Sequence, residues 1–179
     1  GLRRAEANLA RAQEIAHLGS WDWDVATGAL WWSDEVYRIF GLEPREFEPT
    51  YEAFLERVHP DDRSGVEDAV RTAFETRAPY AVEHRIVRPD GSERVVHEQG
   101  EATYDAEGRP VHMIGTVLDV TERTRAQAAL RESEELFRTL SAQAPVGIFR
   151  LDRDGTAIWV NDLLCDLVGR PLAEVVGRP

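Results

Sequence analysis

The sequence predicts an α+β domain, with one antiparallel sheet and its helices gathered on one face. Three observations carry this. "SWDWDV" alternates apolar and acidic residues strictly, the period of a strand with one buried face. Asp90-Gly91 sits between two further strand-like runs and is a strong hairpin signal. The stretch between these strand groups carries helical spacing instead. Strands at both ends with helices between them favour antiparallel pairing over βαβ units.

In chain order, Trp21, Trp23 and Val25 take one strand face and Asp22 and Asp24 the other. "ATG" turns this strand into its partner "ALWWS". Asp34 is expected to cap a short helix, "EVYRIFG", ended by Gly41. Thr50 caps "YEAFLERV". "HPDDRSGVEDAVRTAFET" reads as a helix with Val66, Ala69, Val70, Ala73 and Phe74 on one face. Pro60 suits its first turn, and Asp61 and Asp62 suit the positive end of its dipole. "YAVEHRIVR", "SERVVHEQGEATY" and "VHMIGTVLDV" follow as three strands, and "TERTRAQAALRESEELFRTL" leaves as a long helix.

Composition narrows the function. The formal charge is −12 over 179 residues, and all 21 basic residues are Arg. Such a surface repels phosphate backbones and anionic lipid heads, so nucleic acid and membrane surfaces are not expected partners. No apolar run approaches the ~18–20 residues of a membrane span. No apolar core of a signal peptide is visible near the N-terminus. Cys165 is the sole cysteine, which rules out an internal disulfide and fits a reducing, cytoplasmic setting.

The chain matches itself at an offset that carries Leu2 onto Leu130, Leu9 onto Phe137, Gly19 onto Gly147 and Gly41 onto Gly169. After a one-residue slip, Gly28 falls on Gly155 and Trp32 on Trp159. Each copy opens with a helix whose apolar stripe is narrow. Leu2 and Leu9 in the first, and Leu130, Phe137 and Leu140 in the second, form the seam of a coiled coil or dimer. An ordinary helix packed on its own sheet is the alternative. The second copy stops at Pro179, before the strands that would close its sheet, and is expected to be poorly ordered alone or to lean on another molecule.

The segments "GSWDWDVATGALWWSDEVYRIFG", "VHPDDR", "HRIVRPDGSERVVHEQG" and "GTVLDVTER" together resemble a PAS sensor domain with its C-terminal PAC motif. "APVGIFRLDRDGTAIWVNDLLCDLVGR" is similar to the opening of a second one. The resemblance implies a linker helix over 1–16, a PAS domain over 17–122, a connecting signalling helix over 123–143 and a truncated second PAS copy over 144–179. It also implies a five-stranded antiparallel sheet in the order 2-1-5-4-3, with helices on one face enclosing a small pocket. Such a module senses and dimerises inside a multi-domain bacterial signal-transduction protein, passing pocket or sheet changes to its C-terminal helix. The implied partners are a second copy of the chain and an output domain on the same polypeptide, such as a two-component histidine kinase, a cyclase or a phosphatase. No catalytic motif of those outputs is present, so the chain is not expected to be an enzyme. A ligand-free dimerisation scaffold is the alternative function.

Pocket candidates are Trp23, Tyr37, Phe54, Phe74 and Ile86. A small ligand and a side-chain-filled interior both suit them. The cofactor stays unknown. His59 reads better as a helix-start residue than as a ligand. His84, His97 and His112 fall on separate strands with alternation against clustering, so no metal site is expected. Cys165 lacks the flanking motif of a flavin adduct and reads as a small packing residue. Asp119 and Thr121 stand at the strand-to-helix join as candidate signal-coupling residues. Thr121 is expected to cap the helix and Asp119 to sit just outside the positive end of its dipole, with an Arg such as Arg123 or Arg125 as a further partner for Asp119.

Overall fold

The computed structural model describes Arg11 and residues 15–177. The chain divides into two compact units, residues 1–124 and 125–179. The first holds β1 (Leu18–Asp24), β2 (Leu30–Trp32), α1 (Asp34–Ile39), α2 (Tyr51–Arg57), a 3-10 turn (Pro60–Asp62), α3 (Arg63–Thr76), β3 (Tyr80–Val87), β4 (Glu93–Tyr104) and β5 (Pro110–Asp119). The exit helix α4 (Thr121–Gln143) follows. The five strands pair antiparallel in the order β2-β1-β5-β4-β3.

Alternation along β1 sets the inward face, and Trp21 and Trp23 are both buried. Register then aligns one row across the whole sheet: Trp32, Trp21, Gly115, Gly100 and Tyr80. The two central positions carry no side chain, and the Trp21 indole lies across them towards Tyr80, ring centroids 6.2 Å apart at 78°. The α3 stripe closes this face with Val66, Val70 and Ala73 buried. The outward face leaves Trp31 and Ile114 exposed, both opposite Asp22.

Two helix starts differ from expectation. α1 is capped at Ser33, not Asp34, which lies in the first turn. The Ser33 hydroxyl does not bond the helix; it accepts the Ser20 N–H at 3.0 Å, tying α1 to β1. Asp62 likewise makes no cap bond. Its carboxylate accepts the Arg85 backbone N–H at 2.8 Å and two guanidinium bonds at 2.7 and 3.0 Å, pinning the start of α3 to β3. A bidentate Arg partner satisfies a carboxylate better than one exposed amide does. Thr50 does cap α2, accepting from the Ala53 N–H.

The Arg85 bonds pull the Asp62 carboxyl down to about 2. A depressed carboxylate stabilises the fold above its unfolded value and loses that contribution as pH falls towards its folded one. Asp62→Ala is therefore expected to cost about 1–2 kcal/mol at pH 7, after discounting for solvent screening of the partly exposed pair. The deficit should shrink between pH 4 and 2. Urea unfolding at pH 7 and pH 3 checks it, and an equal deficit at both would contradict it.

The second unit contains β6 (Phe149–Leu151), β7 (Ala157–Val160), α5 (Asp162–Val168) and α6 (Leu172–Val175). β6 and β7 form a two-stranded antiparallel sheet. Local bonding repeats that of the β1–β2 hairpin. Ser33 N–H donates to Ser20 O at 2.9 Å, and Asn161 N–H donates to Ile148 O at 2.9 Å. The Ser33 hydroxyl receives the Ser20 N–H, and the Asn161 amide oxygen receives the Ile148 N–H. Asn161 also caps α5, and Gly169 ends that helix with φ 66°, as Gly41 does past α1 with φ 73°. Cys165 is half-buried on α5.

Candidate functional site

A cavity of about 30 Å³ lies between the sheet and the helices of the first unit. β1 contributes Trp21 and Trp23, β2 Leu30 and Trp32, β3 Tyr80, β4 Glu98 and β5 Met113. Val36, Tyr51, Phe54 and Val70 close it from the helices. Trp23 stacks on Tyr51 at 4.5 Å with rings 9° from parallel. Of the expected pocket residues, Trp23 and Phe54 line the space. Tyr37, Phe74 and Ile86 do not. Tyr37 packs on Trp32 and Phe47 and donates its hydroxyl to Phe47 O at 2.9 Å. Phe74 lies behind Trp23 at 5.7 Å, and Ile86 is buried at its bridge to Val58.

The polar groups of this interior were the least visible in sequence. Glu98 is buried, flanked across the sheet by Val82 and Val117, and accepts the Tyr80 hydroxyl at 3.2 Å. Burial pushes its carboxyl up to about 8. Burial and the Glu98 charge push the Tyr80 hydroxyl far above its usual range, and burial raises Tyr51 to about 12. The indole N–H groups of Trp21 and Trp23 and both ring nitrogens of His84 are buried without hydrogen-bond partners. Burial holds His84 down at about 4, so it is neutral near pH 7. The signal for Glu98 was its place in an inward-facing period-2 set with Val96 and Gly100.

The second candidate element is the join between β5 and α4. Thr121 is buried, and its hydroxyl does not cap the helix as expected. It accepts the Val95 N–H at 2.9 Å and donates to Asp119 Oδ1 at 2.5 Å. Val120 N–H donates to Val95 O at 2.9 Å. The hydroxyl thus stands where the next rung of the β4–β5 ladder would be. Asp119 Oδ1 also accepts the Thr121 N–H at 2.9 Å, at the positive end of the helix. Its other oxygen lies 3.9 Å from Arg88, which donates to Ile39 O at 2.9 Å, while Arg123 pairs with Glu83 at 2.8 Å. The start of α4 is therefore tied to β4 and, through Asp119 and Arg88, to the end of α1.

Comparison with known proteins follows this architecture. A family profile described as "PAS fold" matches residues 29–117. The crystal structure of a sensory box histidine kinase/response regulator from Burkholderia thailandensis is 37% identical, with a TM-score of 0.65. The alignment covers 74% of this chain and 98% of that one. The chain belongs to the PAS family. Among curated relatives, the sensor protein FixL of Bradyrhizobium diazoefficiens is 29% identical over 161 residues, covering 90% of this chain. The probable diguanylate cyclase DgcE of Escherichia coli is 27% identical over 169 residues, covering 94%. The chain spans 32% of the first relative's length and 15% of the second's. The PAS sheet order expected from the resemblance is the one observed.

The histidines do not converge in this PAS unit. His84 faces the core, while His97 approaches Glu83 at 3.6 Å and His112 approaches Asp22 at 2.9 Å, both towards the outward face. His59 starts the 3-10 turn, its Nδ1 accepting the Asp61 N–H at 3.3 Å. On α4, Leu130 and Leu140 are exposed. Phe137 is half-exposed and packs on Trp159 at 5.0 Å, so part of that seam position is engaged within its own unit. Leu2 and Leu9 lie outside the described residues. No helix among the described residues is long and apolar enough to cross a membrane.

Proposed function

We propose that the chain is the sensory and dimerisation module of a cytoplasmic, multi-domain signalling protein, non-enzymatic itself, that passes changes in its cavity to α4. The observation that carries this is the Thr121 bridge. Glu98 lines the cavity on β4, and three residues away on the same strand Val95 gives both its backbone groups to the root of α4. A shift of β4 therefore moves the helix that leaves the domain. Exposed Leu130, Leu136 and Leu140 on α4 suit pairing with a second copy, and so do Trp31 and Ile114 on the outward sheet face. Two α4 helices in one seam have discrete packings, which turns a small displacement into a two-state output. Residues 144–179 are read as the start of a second PAS copy, supported by the repeated Ser33 and Asn161 tie. Exposed Phe149, Leu151 and Ile158 fit a hairpin awaiting further strands.

A second reading, the ligand-free scaffold, is favoured by the cavity's size, about 30 Å³ against the roughly 300 Å³ or more of ordinary ligand pockets. Thr121→Val tests the coupling, because it keeps volume and removes the hydroxyl. Amide exchange in the first turn of α4 should rise about tenfold or more, with the tryptophan environment unchanged. In the parent protein, output should lock at one level; retained switching would overturn the proposal. Leu130→Glu with Leu140→Glu should weaken dimerisation about tenfold or more by sedimentation, and an unchanged assembly state would remove the seam.

A further inference from the structure

The cavity wall has an unbalanced charge. Among the described residues that line it, seven are aromatic, Glu98 is acidic and none is basic. Val82 and Val117 flank Glu98 across the sheet, and the Tyr80 hydroxyl that it accepts is neutral. A buried carboxylate without a counter-cation tends to hold a proton instead, and burial raises the Glu98 carboxyl accordingly. Aromatic faces present their negative quadrupole to whatever occupies the space, and cations are stabilised there. About 30 Å³ accommodates roughly two water-sized groups. The net charge of −12 raises the local concentration of cations around the whole chain.

The geometry points to a binding site for a small organic ammonium ion of about methylammonium size, held among the Trp21, Trp23, Tyr51 and Tyr80 rings with its N–H groups on the Glu98 carboxylate. Its use as a signal rests on the sensory reading above; the binding itself does not. Occupancy exchanges a proton for a cation, since the Glu98 carboxylic acid releases its proton to solvent as the ammonium arrives. The other ionisable groups on this side stay neutral. Tyr80 on β3 and Tyr51 on α2 are pushed up, and His84 on β3 is held at about 4. β1, β2 and β5 present Trp21, Trp23, Leu30, Trp32 and Met113, and α1 and α3 present Val36 and Val70.

Titration calorimetry of the whole chain with methylammonium chloride, in amine-free buffers at matched ionic strength, tests this. Acetamide is the neutral probe, suited to the unpaired indole N–H groups, and tetramethylammonium the oversized cation. Methylammonium should bind saturably, with affinity rising towards tenfold per pH unit below the Glu98 value and levelling above about 8. Heats in two buffers of different ionisation enthalpy should show close to one proton released per cation at pH 7. Glu98→Gln should weaken binding about tenfold or more with the near-ultraviolet dichroism of the tryptophans unchanged. Tighter binding of acetamide or tetramethylammonium, no proton release, or no saturation by about 100 mM methylammonium would overturn the site. The proton count uses the unaltered chain, so it stands even where the variant misfolds. Failure here leaves the Thr121→Val result untouched, and loss of coupling there leaves this binding intact.

Discussion

Gly115→Ala is expected to destabilise the first unit by about 3 kcal/mol or more, a large fraction of a domain's usual stability. A Cβ at this position would stand 2.2 Å from Gln99 O and 2.3 Å from Trp21 Cζ2. The first contact is with backbone in the paired β4 strand, so relief requires opening the β4–β5 ladder at its Gly100 partner. The second is with an indole that is itself wedged against Tyr80. Gly100→Ala meets Ile114 O and Trp21 Cη2, each at 2.7 Å, and should follow the same course with a smaller cost. Trp21→Phe in the Gly115→Ala background removes the ring clash but not the backbone one, so it should recover little. Gly65→Ala is the control. It lies exposed in α3 with nothing within 4 Å of the added carbon, and the better helix propensity of Ala should stabilise by about 0.5–1 kcal/mol. Thermal melts by far-ultraviolet dichroism separate the three. A near-wild-type melt for Gly115→Ala would mean that the indole does not lie across the sheet.

The architecture was legible because its strands alternate and its turns carry glycine. Trp21 and Trp23 announce the buried face of β1, and Asp90-Gly91 fixes the β3–β4 hairpin. The interior was less legible, since a cavity wall is assembled from register, which a single strand does not declare. Tyr80 and Trp21 meet across two glycines that contribute nothing to a hydrophobic pattern. Glu98 in "VVHEQGE" shares a period-2 set with Val96 and Gly100, but its flanking by Val82 and Val117 emerges only with the register. Ile86 and Phe74 were correctly apolar and still missed the space, because burial does not distinguish a core position from a cavity wall. At the join, Thr before a helix signals a cap. Here an unfinished rung on β4 competes for the same hydroxyl, and the ladder wins. That competition is long-range, 26 residues apart, and leaves no local trace.

Stability is expected to fall as pH rises from 6.5 to 8, and Glu98→Gln should abolish that fall. The Glu98 carboxyl titrates at about 8 when folded, against 4.5 as its ordinary value. Between those limits the folded state binds more protons than the unfolded one, so each pH unit upward costs about 1.4 kcal/mol. His84 acts in the opposite sense. Its folded value of about 4 lies below the ordinary 6.5, so between these it favours folding as pH rises. From pH 4.5 to 6.5 the two slopes oppose and nearly cancel. Above 6.5 His84 is neutral in both states, and Glu98 alone should lower stability by roughly 2 kcal/mol up to pH 8. Asp62 contributes only to the acid limb, below about pH 4. Glutamine keeps the volume and the Tyr80 contact without titrating, so wild type minus variant isolates the carboxyl across the whole range. Urea unfolding at half-unit intervals in phosphate buffers, free of amines that could occupy the cavity, makes the comparison. A wild-type profile flat from 6.5 to 8 would mean that water or a cation already balances Glu98, and that the aromatic wall is not the dry enclosure its packing describes.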